Sequence, residues 1–228
     1  MDAGYAPGMR QTAAYDQFAD WYEEYINVDA ASYSSRVNAM LAGLLGEGHG
    51  TCLDLCCGTG ARVHVLRSLG WTPIGIDLSA GQLGHATARL PVVLGSACQL
   101  PLATGSAAAV VCVLAHTDMP DYPAAVREAG RVLKPGGRFV HVGVHPCFVG
   151  AFADRSQPAR IVIGERYADR SHTFDAWSPH GVRARVGAWH VPLADLLNAV
   201  TEAGLHLDRV VEDGPGGIPD GFGFLARA

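Results

Sequence analysis

The sequence predicts an α/β fold built on a doubly wound, mostly parallel sheet, and three observations carry that expectation. First, Leu53-Asp54-Leu55-Cys56-Cys57-Gly58-Thr59-Gly60 is an apolar strand that runs into a glycine turn, with a helical segment at 61–69 directly after it. Second, an apolar run at 73–76 follows and ends in Asp77, nineteen positions beyond Gly58. Strand, glycine turn, helix, strand and acid in this order form half of a nucleoside-binding crevice. Third, apolar runs and helical patterns alternate from residue 50 to 144, and the runs are continuous rather than alternating. Continuous apolar strands belong to parallel sheets covered on both faces.

In chain order, residues 1–9 are small and rich in Gly and Pro, as loose termini are. Over 11–26, Tyr15, Phe18, Tyr22 and Tyr25 recur at helical spacing with acids elsewhere, which predicts a helix with one aromatic face. That helix either docks on the sheet or closes as a lid over a ligand, with the Tyr15 or Tyr22 hydroxyl turned toward it. A second helix spans 32–45 and ends at Gly46. After Asp77, Ser79 is a candidate cap for a helix running to about 88. Strands are expected at 91–94, 107–114 and 138–144. A helix at 121–133 stops at the turn Lys134-Pro135-Gly136-Gly137. A helix at 192–203 is followed by strands at 205–211 and 222–226, and the Gly- and Pro-rich turn between these strands predicts an antiparallel hairpin.

Residues 147–190 break this rhythm, and a stretch of that length is more than a connection. It carries Phe148, Phe152, Tyr167, His172, Phe174, Trp177 and His190. These side chains either wall a flat, partly apolar ligand or form a satellite core. The organisation is then a helical cap at 1–48, a core at 49–146 and 191–228, and an insertion at 147–190.

Composition narrows the function. The net charge of −5 argues against a nucleic-acid partner. Arg155, Arg160, Arg166, Arg170, Arg183 and Arg185 gather in one region, as a solvated arginine-rich surface would. There is no apolar run long enough to span a membrane and no signal-peptide core, so a cytosolic protein with no membrane partner is expected. The six cysteines form no CxxC pair and read as small buried thiols of a reducing compartment. His141, His145 and Cys147 are spaced too widely along a strand to chelate without a bend, so no metal is expected.

The glycines at 58 and 60 let backbone approach a ligand closely. A dinucleotide loop would continue to a small residue three positions later; Val63 stands there and argues against pyrophosphate. Asp77 is placed for two ribose hydroxyls. Asp54 could hold the glycine loop or face a ligand amine. Ala97-Cys98 ends the third strand, where an adenine edge could meet backbone amides.

Taken together, Leu53 to Gly60, Gly75 to Ser79, Gly95 to Leu102 and Arg131-Val132-Leu133-Lys134-Pro135-Gly136-Gly137 resemble a class I S-adenosylmethionine-dependent methyltransferase. The small-molecule type similar to the ubiquinone-biosynthesis enzymes is the nearest group, and the likeness covers about residues 11–146. The resemblance implies a Rossmann-like sheet of seven strands with one antiparallel strand. It also implies S-adenosylmethionine contacts at Cys56, Cys57, Gly58, Thr59 and Gly60, at Asp77 and Leu78, at Ala97 and Cys98, and at Leu114 to His116. Two positions depart from the pattern: Ser96 stands where an Asp is frequent, and Cys56 where a Gly is, which restricts the loop's backbone.

Methyl transfer asks mainly for alignment, with a base only where the acceptor must lose a proton. His116 and His145, just beyond the fourth and fifth strands, are candidate bases, and Asp118 is a third. The expected reaction is direct transfer to an O or N atom of a small-molecule acceptor. The alternatives are a methyltransferase-fold protein that binds without transferring methyl, and a nicotinamide-dependent oxidoreductase, against which Val63 and the Lys134–Gly137 run speak. The acceptor is not legible, and the oligomeric state, a homodimer included, is open.

Overall fold

A computed structural model of the chain describes residues 13–157, 160–176 and 180–228. The expectation for residues 1–9, the start of the helix at 11–26 and Trp177 lie outside the described residues. The strands are β1 (Thr51–Leu55), β2 (Thr72–Asp77), β3 (Val92–Leu94), β4 (Ala107–Val113), β5 (Leu133–Val144), β6 (Ala153–Gln157), β7 (Arg160–Ile163), β8 (His206–Asp213) and β9 (Gly221–Arg227). The helices are α1 (Ala19–Asn27), α2 (Ala31–Leu45), α3 (Val63–Ser68), α4 (Ala80–Ala86), α5 (Tyr122–Val132), α6 (Val182–Val186) and α7 (Leu193–Glu202).

Seven strands form one sheet in the order β3-β2-β1-β4-β5-β9-β8. The first five pair in parallel, while β9 runs antiparallel to both β5 and β8. This is the Rossmann-like, doubly wound sheet that was expected, with β9 as the reversed strand. The continuous apolar runs have the expected cause, because successive residues serve opposite faces. Val110, Cys112 and Phe139 pack with α5 and α7, whereas Ala109, Val111 and Val140 pack with α2 and Leu66 of α3. No described helix is long and apolar enough to cross a membrane.

Three expectations are corrected. The 11–26 segment is not one helix but a 3-10 turn, Asp16–Phe18, followed by α1, because Phe18 leaves helical geometry at φ −116°, ψ 9°. Asp16 fixes the turn: its carboxylate accepts from the amides of Ala13 and Gly81 and from the Ser79 hydroxyl. Next, the Lys134–Gly137 turn does not precede the fifth strand but interrupts it. Leu133 is already extended and pairs with Ala107 after α5 ends at Val132, the ladder resumes only at Arg138 opposite Ala109, and the four residues between turn out of register. Gly136, at φ 74°, donates its amide to the carbonyl of Ala228 and so joins this corner to the end of β9. Last, the insertion is more regular than expected, with β6 and β7 as a separate antiparallel pair and the short helix α6.

The arginines do not form one solvated patch. Arg166 pairs with Asp175 and Asp169, and Arg170 with Asp195. Arg185 stacks its guanidinium 4.3 Å from the Trp21 ring of α1, tying insertion to cap. Arg155 and Arg183 turn inward to a cavity.

Candidate active site

Strand order reverses between β1 and β4, and ligands of such sheets bind outside the carboxyl ends at that point. The backbone is strained there. Cys56, at the end of β1, and Leu114, at the end of β4, have φ of 54° and 57°, and are the only described non-glycine residues with positive φ. Left-handed geometry costs an L-residue about 1–2 kcal/mol, and such strain gathers at functional sites. The loop therefore demands the conformation that glycine supplies freely, and Cys56 adopts it regardless.

From Cys56 the chain turns through Gly58 and Gly60, both at positive φ, into α3. Val63 is fully buried beside Cys57, Leu83, Ala86 and Leu90, so the space beneath the loop is closed by side chains. Asp77 at the end of β2 secures the loop. One carboxylate oxygen accepts from the Gly58 amide and the other from the Ser79 amide, each at 2.8 Å. Burial raises the Asp77 pKa, and these amides work against that rise. Leu78, next in sequence, is exposed.

Around this loop several buried polar atoms have no partner among the described residues: Asp54 Oδ2, Thr59 Oγ1, and both Nε2 and Oε1 of Gln82. Burial pushes the Asp54 carboxyl up to about 7, against the pull of Arg62. Buried polar groups ordinarily find partners, so such a cluster calls for something the chain does not supply. Gln82 was not anticipated from the sequence, although Ser79-Ala80-Gly81-Gln82 is a capping box. Ser79 does cap α4, accepting from the Gln82 amide at 3.1 Å. The Ser79 amide, however, is already given to Asp77, so the Gln82 side chain is released and lies against Gly58, where an added Cβ would stand 3.5 Å from its Oε1.

At the third strand, Ala97 is buried, and the Cys98 amide donates to Ser96 Oγ at 3.1 Å. Ser96 thus closes its own turn on the Cys98 amide.

Beside the loop opens a cavity of about 500 Å³, within the range of small-molecule sites. Its lining brings together Tyr15, Tyr22, Leu114, His116 and Asp118 with Tyr33, Arg155 and Arg183. Tyr15, just before the 3-10 turn, and Tyr22 of α1 stand on this side of the cavity, and a Cβ on Gly58 would stand 3.8 Å from the Tyr22 ring. The glycine loop, Asp77, Ala97 and Cys98 do not line this cavity but flank it.

The three candidate bases separate clearly. His145 is corrected. Its Nδ1 accepts from the Cys147 amide at 3.1 Å, and its Nε2 lies 2.7 Å from Glu212. With Nδ1 accepting, Nε2 carries the proton, and no ring lone pair is left for an acceptor's proton. His145 also lies outside the cavity lining. His116 does line the cavity, with Nδ1 unpartnered, but burial pulls its pKa down to about 3 and keeps it neutral. Asp118 faces the same cavity and accepts a hydrogen bond from the Tyr15 hydroxyl at 3.1 Å. Burial pushes its carboxyl up to about 7, with Tyr15 acting the other way. A carboxylate poised there is matched to proton transfer near neutral pH. His141 is a core residue, bonded to the Tyr122 hydroxyl at 3.0 Å and stacked on Phe224. Among the described residues no group of three or more His, Cys, Asp or Glu is placed to hold a metal.

Comparison with known proteins agrees with this architecture. Residues 53–141 match a methyltransferase domain family. A demethylmenaquinone methyltransferase of Corynebacterium kroppenstedtii is 31% identical over 146 residues, covering 59% of this chain and 64% of the relative. An S-adenosylmethionine-dependent methyltransferase from Mesorhizobium loti superposes with a TM-score of 0.67 at 23% identity, over 88% of this chain and 99% of that one. A geranyl diphosphate C-methyltransferase from Streptomyces coelicolor, solved with S-adenosylhomocysteine, gives a TM-score of 0.63 at 17% identity, over 96% and 86% of the chains. The chain spans 39% to 64% of the length of the first curated relatives it matches. The fold is the one that these S-adenosylmethionine-dependent methyltransferases have, and the matched stretch is a methyltransferase domain.

Proposed function

We propose that the chain binds S-adenosylmethionine at the glycine loop and moves its methyl group to an O or N atom of a small acceptor held in the cavity. The observation that carries this reading is the convergence of unpartnered buried polar atoms, from Asp54, Thr59 and Gln82, on a glycine turn at the reversal of strand order. These groups fit a ligand with a charged amine, a carboxylate and ribose hydroxyls. When bound, the cofactor supplies an activated methyl group on a sulfonium, transferred by direct displacement.

Asp54, reluctant to ionise alone, gains a reason to do so beside a ligand amine. Asp77 keeps lone pairs beyond those taken by Gly58 and Ser79, and these are available to ribose hydroxyls. Asp118, steadied by Tyr15, takes the proton that an acceptor hydroxyl or amine must lose. His116 stays neutral and positions the acceptor rather than removing its proton. The acceptor named by the relatives is not carried over, because Tyr22, Tyr33, Arg155 and Arg183 of the cavity wall lie outside residues 53–141, the stretch that matches the domain family.

Calorimetric titration with S-adenosylhomocysteine tests the assignment. Asp77→Asn keeps the size of the side chain but weakens acceptance from Gly58, Ser79 and ribose, and affinity should fall by ~1–3 kcal/mol. Unchanged affinity in Asp77→Asn overturns the ribose assignment, and absence of binding to the natural chain overturns the cofactor.

A further inference from the structure

The cavity wall holds three guanidinium groups in different states. Arg36 is matched, with two hydrogen bonds to Asp220 and one to Asp213. Arg155 gives one N–H to the Phe148 carbonyl at 2.8 Å. Arg183 differs: its buried Nε has no hydrogen-bond partner, and among the described residues its guanidinium makes no ion pair. Arg183 is half-buried, and this burial lowers its pKa, with Asp118 too far for an ion pair but near enough to oppose the shift. A buried guanidinium N–H left without a partner is costly to hold unless a ligand completes it. Its planar fork of donors fits a carboxylate in two parallel hydrogen bonds.

The rest of the wall describes the body of that ligand. Tyr22, Tyr25 and Tyr33, with Val144, Val149 and Val182, make much of the remaining lining aromatic or aliphatic. Resting on the reading of this cavity as the acceptor site, we propose that the acceptor is a flat, largely apolar molecule bearing a carboxylate, and that Arg183 receives that carboxylate while Asp118 faces the atom to be methylated. Arg155 lies in the same lining and adds a second positive charge, whereas Arg36 only closes the wall against the β8–β9 turn.

The test uses matched probes: benzoate against benzamide, and cinnamate against cinnamamide. Their affinities are measured by calorimetry for the natural chain, Arg183→Gln and Arg183→Lys, with S-adenosylhomocysteine titrated separately into each. The natural chain should favour each carboxylate over its amide by ~10-fold or more. Arg183→Gln should abolish that preference, Arg183→Lys should retain part of it, and S-adenosylhomocysteine affinity should be unchanged in both. Equal affinity for acid and amide, a preference that survives Arg183→Gln, or no binding of either acid up to about 10 mM overturns the proposal. Cofactor-product binding without a carboxylate preference defeats this inference alone. A carboxylate preference in a chain that does not bind S-adenosylhomocysteine defeats the methyl-transfer reading alone.

Discussion

The two sides of the carboxyl edge are built differently. The β1–β2 side is made by backbone: a glycine turn, left-handed Cys56, and an aspartate that holds two amides. Its residues lie within one short stretch of chain. The β4–β5 side is made by side chains from three distant segments: the cap with Tyr15, Tyr22 and Tyr33, the β4 end with His116 and Asp118, and the insertion with Arg155 and Arg183. The first side suits a ligand common to a whole fold class, and the second is free to vary with the acceptor.

If that division of labour holds, changes on each side break different things. The largest effect is expected at Asp118. Asp118→Asn should lower turnover by ~100-fold with little change in cofactor affinity. The natural chain's rate should rise as pH passes through about 7, because the ionised form accepts the proton, and the variant should lose that rise. Initial rates from pH 5.5 to 9 check both, and a variant that keeps rate and profile removes Asp118 from the reaction.

This contrast also decides what the sequence could convey. The sheet, its reversed strand and the glycine loop were legible because they rest on local patterns: continuous apolar runs, turn residues, and an acid at a fixed distance. The 11–26 segment misled because Asp16 is drawn out of helical use by Ser79 and Gly81, contacts across about 65 positions of chain. His145 looked catalytic from its place after β5, yet its ring is occupied by Cys147 and Glu212. Asp118 and Arg183 gain their meaning only from burial in a shared cavity, which no spacing encodes. Gln82 was not read from the sequence, where Ser79 was expected only as a cap, and the diversion of the Ser79 amide to Asp77 that frees the Gln82 side chain belongs to the fold.

A smaller effect sharpens the account of the first side. Asp54 has a raised pKa when folded, so the unfolded chain ionises first and binds fewer protons between about pH 4 and 7. Its contribution therefore lowers stability as pH rises through that window. Asp54→Asn removes the cost of a buried charge and should stabilise the cofactor-free chain at pH 8 by about 1–3 kcal/mol, while weakening S-adenosylmethionine binding. Denaturant midpoints at pH 4.5 and 8 test the sign; a variant that is less stable at pH 8 contradicts it. The smallest effect belongs to Cys56→Gly, which relieves left-handed strain and should raise stability by at most ~1 kcal/mol, offset in part by the entropy glycine loses on folding.

The most direct measurement of the central claim follows a labelled methyl group. The chain is incubated with methyl-labelled S-adenosylmethionine and a set of hydroxyl- and amine-bearing aryl acids, and the products are separated and counted. The account predicts label in an O- or N-methylated small molecule, with an equal amount of S-adenosylhomocysteine formed and little of either with Asp118→Asn. Binding of the cofactor with no label leaving it for any acceptor would contradict the account and favour a protein of this fold that binds without transferring.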